Sequence, residues 1–344
     1  WISLDLSRDG ETIVFELLGD LYTVPLAGGD ALGITSGMGY DSQPCYSPDG
    51  FQLAFLSDRS GSENIWIANA DGSDPRQLSV DTESVFVSPS WTPDGEYVVV
   101  TRCAPLGGTW ERDEEIWMYH VDGGRGVQVT RSNPGASSPP HYAMGPVASP
   151  DGRYLYYTMR SMRPWLETNF PMPSCQIARR DLTTGAEDVI TEAPGSAFRP
   201  VLSPDGTQLV YGTRHEGETG LRIRDLATGE ERWLKYPVQR DAQESYAERD
   251  LLPGYAFTPD GKEIVLYYGG KIHRVNVASG EAHVVPFTAK VSQDVGPLLN
   301  FPARVEQGPV KARIIQDPSQ SPDGKRLAFS ALTHLYVMSI PDGI

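Results

Sequence analysis

The side chains able to do chemistry are scattered along this chain and form no catalytic motif. The six histidines, His120, His141, His215, His273, His283 and His334, show no His-x-His or His-Glu-x-x-His spacing. No zinc or amidohydrolase metal site assembles from such a local pattern. There is no Gly-x-Ser-x-Gly elbow, no Walker loop and no dinucleotide-binding loop. Seven aspartates recur in one context: Asp9, Asp49, Asp94, Asp151, Asp205, Asp260 and Asp323 each sit beside a glycine, six of them after a proline. Calcium needs about six to eight converging oxygens, and each aspartate is alone in its turn, so the carboxylates read as caps on backbone N–H groups. Asp58-Arg59 reads as a loop-bracing ion pair. What remains for recognition is arginine beside aromatic rings. Arg160, Arg163 and Trp165 share one segment, Trp110 and Arg112 a second, His141 and Tyr142 a third, and Arg304 stands in a fourth. Guanidinium forks bind carboxylates and aromatic rings give contact area at low entropy cost, which suits an acidic peptide or a partner domain. The structural alternative is that these side chains fasten long loops to the scaffold.

The elements that position them are short strands. Between Tyr40 and Ser79, Ser47-Pro48-Asp49-Gly50 forms a tight turn, with proline presetting φ and glycine accepting a positive one. Leu53–Leu56 follows as an apolar strand, then Ile65–Ala68, an Asp71-Gly72 turn and Arg76–Ser79. The turn recurs at Ser7–Gly10, Thr92–Gly95, Ser149–Gly152, Ser203–Gly206, Thr258–Gly261 and Ser321–Gly324, with aspartates between 40 and 63 residues apart. Four strands per unit at such a period predict an all-β propeller of four-stranded antiparallel blades. The repeats run over about 1–36, 40–80, 85–131, 143–192, 196–237, 252–287 and 311–344, read as one domain over 1–344. The last repeat lacks its fourth strand and Trp1 already lies at a first strand, so the expectation is a fragment, or a three-stranded last blade.

Loop lengths separate two rims. Turns between first and second strands, and between third and fourth, are tight throughout. The extra length falls in 104–113, 131–143, 160–174, 236–253 and 288–311, all on the opposite rim, where recognition is expected.

Composition bounds the rest. With 45 acidic against 29 basic residues the net charge is −16, so a nucleic-acid partner is not expected. No apolar run reaches the roughly 20 residues of a membrane-spanning helix. The absence of an initiator Met and of a signal peptide reads as a processed or excised start. Cys45, Cys103 and Cys175 are odd in number and far apart, and read as packed, unpaired thiols.

The repeats resemble those of TolB-like propellers, whose unit joins a Ser-Pro-Asp-Gly turn, an apolar strand, a Ser-Asp-Arg loop and an Ile-Trp/Tyr-Val strand. Ser57-Asp58-Arg59 and Asn64-Ile65-Trp66-Ile67 match that pattern. The resemblance makes a six-bladed ring the alternative to seven blades. Two further stretches, Gly19–Pro25 with Gly28-Gly29, and Lys311–Ile315 leading to Ser321–Ala331, resemble the amino-terminal part of bacterial proteins in which such a propeller precedes a metal-dependent amidohydrolase domain. That resemblance implies a non-catalytic module that binds or gates substrate or partner, with its own C-terminal catalytic domain or another protein or peptide as partner. It implies no cofactor in this chain, any divalent metal lying in the missing domain, and a periplasmic or secreted location. Two alternatives stand beside it: a lactonase-like propeller enzyme with a metal in the central channel, and a periplasmic protein-binding scaffold.

Overall fold

The computed structural model describes residues 2–105, 112–132, 142–160, 172–243, 249–293, 296 and 308–341. All described regular structure is β-strand, and no helix in it is long and apolar enough to cross a membrane. The chain divides into two compact units, Trp1–Val295 and Gly296–Ile344, where one domain over 1–344 was expected.

The first unit holds six of the seven repeats, each an antiparallel sheet with its four strands in chain order. The first strands are Leu4–Leu6, Asp41–Tyr46, Val85–Trp91, Tyr142–Ala148, Phe198–Leu202 and Ala256–Phe257. Each touches the next, and the sixth touches the first, so they form a ring. Apolar clusters fill the six interfaces between neighbouring sheets, two of them between the third and fourth. The cluster that closes the circle joins Leu4, Phe15 and Tyr22 of the first sheet to Ala256, Val265 and Ile272 of the sixth. A short strand, Phe287–Ala289, pairs in parallel with Gly29–Gly33 and covers the outer edge of the first sheet, protecting an otherwise open strand edge.

Sequence explains the strands well. Inside the sheets Phe15, Phe55, Tyr157 and Tyr211 on second strands, and Phe86 and Phe198 on first strands, are almost wholly buried, because a blade is covered on both faces by its neighbours. Each such side chain stabilises the fold by about 2–3 kcal/mol on transfer alone. Each repeated turn is closed the same way. Ser47 Oγ donates to Asp49 Oδ1 at 2.5 Å and accepts the Gln52 N–H at 2.9 Å, while Asp49 Oδ1 accepts the Phe51 N–H at 3.0 Å. Gly50 takes φ 79°. A second clasp recurs: the hydroxyls of Thr35, Ser79, Thr130 and Thr191 accept a third-strand N–H, from Leu21, Ile65, Ile116 and Ile177, at 2.8–2.9 Å.

The second unit carries the seventh repeat as three antiparallel strands, Gln316–Gln320, Arg326–Ala331 and His334–Ser339. Seven sheets are present among the described residues, and the six of the first unit form a ring of contacts. The third strand of the seventh repeat differs in burial: Leu335 and Val337 are 76% and 59% exposed, where the equivalent Ile65 and Ile67 of the second repeat are 0% and 1%.

Candidate functional site

Six first strands converging on one axis leave a cavity of about 350 Å³ between them. Its wall is shaped by a repeated irregularity. Gln43, Ser88, Gly145 and Arg199 have positive φ (50°, 54°, 60° and 54°) and each precedes a proline. The register slips at each of these points. Such bulges turn a side chain out of the sheet alternation and concentrate at functional sites.

Polar groups meet at this level of the ring. The Arg199 guanidinium donates from Nη1 to Asp250 Oδ2 at 2.7 Å and also bonds Ser88 Oγ. Ser88 Oγ donates to the same carboxylate at 2.6 Å. Arg199 Nε is buried with no hydrogen-bond partner. Glu16 accepts the N–H groups of Ser3 (3.2 Å) and Gln43 (2.8 Å) and pairs with Arg249 at 3.0 Å. Burial pushes its carboxyl up in pKa, against the pull of Arg249.

Asp5 lines the cavity in a different state. Its Oδ2 accepts the Tyr46 N–H at 2.8 Å, and no ion pair to it is found among the described residues. Desolvation raises its pKa from 3.8 to about 6, and the Tyr46 and Leu6 N–H groups and the Arg199 charge only partly oppose this. Burial likewise pushes up the neighbouring Cys45 thiol and Tyr46 hydroxyl. Cys45, Cys103 and Cys175 are all free. Among the described residues, no three His, Cys, Asp or Glu side chains converge on a point that could hold a metal ion.

The cavity wall includes Arg8, Pro48, Pro204 and Pro259, which belong to the repeated tight turns. It therefore reaches the rim that loop lengths marked as purely structural. The long-loop rim is different in kind from the expectation. Trp110, His141, Arg163, Trp165 and Arg304 lie outside the described residues. Arg112 opens a strand opposite Pro105. Tyr142 and Arg160 are register partners in the fourth sheet, but both are buried, at 3% and 5% exposure. Arg160 Nη1 is taken up by Glu114 Oε1 at 2.9 Å, so it braces the third sheet against the fourth. Arg59 pairs with Asp41 at 2.5 Å and lies over the Phe55 and Trp66 rings, while Asp58 accepts the Tyr40 N–H. Both members of that dipeptide brace the loop, with separate partners. All seven turn aspartates are placed as the sequence predicts, accepting a Ser or Thr hydroxyl at 2.5–2.7 Å.

Comparison with known proteins agrees with this geometry. The family model described as the tricorn protease N-terminal beta propeller domain matches residues 5–109. A TolB homolog of Chlorobaculum tepidum is 28% identical over 105 residues, 30% of this chain and 22% of that protein. The solved structure of a putative TolB from Agrobacterium tumefaciens superposes with TM-score 0.55 at 20% identity, over 76% of this chain and 87% of that one. The tricorn protease structure gives TM-score 0.60 at 16% identity, over 99% of this chain and 31% of that one. The chain carries a β-propeller similar in fold to TolB and to the tricorn protease propeller. The matched stretches span only 11–28% of the first three curated relatives.

The residues around the cavity were missed from sequence, yet a signal for them exists. Gln43-Pro44, Ser88-Pro89, Gly145-Pro146 and Arg199-Pro200 each place the proline three residues before the Ser or Thr of a repeated turn. The recurrence marks the bulge, and the residue before each proline occupies it.

Proposed function

We propose that this chain is a non-catalytic protein-binding module that binds or gates a peptide or partner for an associated hydrolase domain. The observation that carries the reading is the axial cavity of about 350 Å³, walled by the first strands of all six sheets and reaching the tight-turn rim. A rigid ring with a concave axial site suits recognition. The described wall offers hydrogen-bonding groups, prolines and aromatic rings rather than a nucleophile activated by a base. The resemblance of Gly19–Pro25 and Lys311–Ala331 to propeller–amidohydrolase proteins supports a metal-dependent amidohydrolase as the catalytic partner. In this reading the chain carries no metal of its own and works in the periplasm or outside the cell.

The test is recovery of partners from a periplasmic extract of the source cells by the tagged chain. The cavity-rim variants Arg8→Glu and Pro204→Glu are compared with the long-loop variants Arg163→Ala and Trp165→Ala. Loss with the rim pair alone supports the axial reading, and loss with the loop pair alone moves the site to the other rim. Amide hydrolysis by the purified chain that disappears on altering cavity residues would end the non-catalytic reading. The melting temperature is expected to be unchanged in chelator, and the reading frame beyond Ile344 tests the amidohydrolase assignment.

A further inference from the structure

We infer that the axial cavity receives a basic side chain, a lysine ammonium or arginine guanidinium on a partner's loop, entering from the tight-turn rim and set against the Asp5 carboxylate. The inference rests on the protein-binding reading above and names the chemistry of what that site takes.

Three observations carry it. The first is charge balance. Arg199, the cation that acts on Asp5 from the fifth sheet, is committed to Asp250 at 2.7 Å. Asp5 itself has only the backbone N–H groups of Tyr46 and Leu6 as partners among the described residues. A carboxylate drawn out of water with no counter-charge is completed by a cation. The second is the wall. Pro48, Pro204, Pro259 and Trp91 line the same cavity and give apolar and aromatic surface for an aliphatic stem, leaving the charged head to travel further in. The third is the entrance. The repeated turns place Asp9, Asp49, Asp94, Asp151, Asp205 and Asp260 around this rim. Each is held below its ordinary pKa, first by the hydroxyl that donates to it. Six ionised carboxylates around a mouth, on a chain of net charge −16, draw cations toward it and repel anions. The opposing charges at this rim are Arg8, Lys262 paired with Asp260 at 3.1 Å, and Arg153 acting on Asp151. The groups that face Asp5 from neighbouring strands, the Cys45 thiol and Tyr46 hydroxyl, are pushed up by burial and stay neutral.

The experiment is calorimetric titration of the whole chain with Nα-acetyl-lysine amide, Nα-acetyl-arginine amide and the uncharged Nα-acetyl-norleucine amide. At pH 7.5 the two basic probes are expected to bind at least about tenfold more tightly than norleucine amide, roughly the discrimination of one favourable charge contact. Asp5→Asn, which keeps an oxygen for the Tyr46 N–H, is expected to erase that preference, and Asp5→Glu to retain it. Lowering the pH to 5 is expected to weaken the basic probes about tenfold, as Asp5 takes up its proton. Should Asp5→Asn fail to fold, the wild-type comparison at pH 7.5 and 5 decides alone. Equal binding of norleucine amide, or no pH dependence for the basic probes, overturns the inference. Partner recovery lost in Arg8→Glu and Pro204→Glu, with inert basic probes, overturns it while leaving the protein-binding reading intact.

Discussion

Asp5 makes the stability of this propeller depend on pH in a direction opposite to the usual carboxylate. Its folded-state pKa is raised, to about 6 against an ordinary 3.8, so the native state holds the proton more tightly than the unfolded chain does. The resulting stabilisation is complete below about pH 3.8 and is lost as pH rises through about 6. A gap of about two pH units, at about 1.4 kcal/mol each, makes the loss about 3 kcal/mol by pH 8. That figure is a ceiling, because part of the side chain faces the cavity. Asp5→Asn removes the titration and keeps an acceptor for the Tyr46 N–H. The variant is therefore expected to gain on wild type by up to roughly 3 kcal/mol from acid to pH 8, about half of it between pH 5 and 8, or several degrees in Tm for a unit of this size. The turn aspartates, whose lowered pKa values act in the other sense, are common to both proteins and cancel in the difference. Urea unfolding of both chains, followed by tryptophan fluorescence at half-unit pH steps, measures it. A wild-type–variant difference that is flat from pH 5 to 8, or that widens toward acid, refutes the burial argument.

Arg160→Ala leaves Glu114 buried without its counter-charge and is expected to cost about 3–5 kcal/mol in urea unfolding. Adding Glu114→Gln is expected to return most of that loss, because the cost lies in the stranded charge and not in the lost attraction. Ser47→Ala removes the hydroxyl that both donates to Asp49 and accepts from Gln52, and is expected to cost about 1–2 kcal/mol. Its Tm is expected to fall while the midpoint slope with urea stays unchanged.

The repeat, the strand order within a blade and the rim of aspartates were all legible in sequence, because each is decided within a few residues of chain. Ser47-Pro48-Asp49-Gly50 needs no distant partner to close. The same locality explains what was not legible. The seventh turn closes like the others, with Ser321 Oγ donating to Asp323 Oδ1 at 2.6 Å, so nothing near a turn reveals which other sheets its own sheet meets. Ring closure is settled by Leu4 and Phe15 packing against Val265 and Ile272, some 250 residues apart. Length marked 236–253 as a recognition loop; its described part also buries Leu251 and Leu252 and sends Asp250 to Ser88 of the third sheet and Arg199 of the fifth.

The rim aspartates show how a structural repeat acquires electrostatic consequences. Each carboxylate is fixed by a hydroxyl and a backbone N–H within its own turn, as in Thr92 and Glu96 around Asp94. Those bonds favour the ionised form, so each negative charge is a by-product of closing the turn. A single turn with one exposed charge would matter little, since salt screens it within about 10 Å. Six strand ends brought to one axis place the turns around a shared opening, and their fields add there. The ring that gathers these charges also gathers the first-strand bulges beneath them, with Asp5 lacking a counter-ion among the described residues and Arg199 paired with Asp250. The proposed receptor in the axial cavity thus lies beneath the rim built from the shortest turns, whereas Arg160 on the longer-looped rim pairs with Glu114 and braces adjacent sheets.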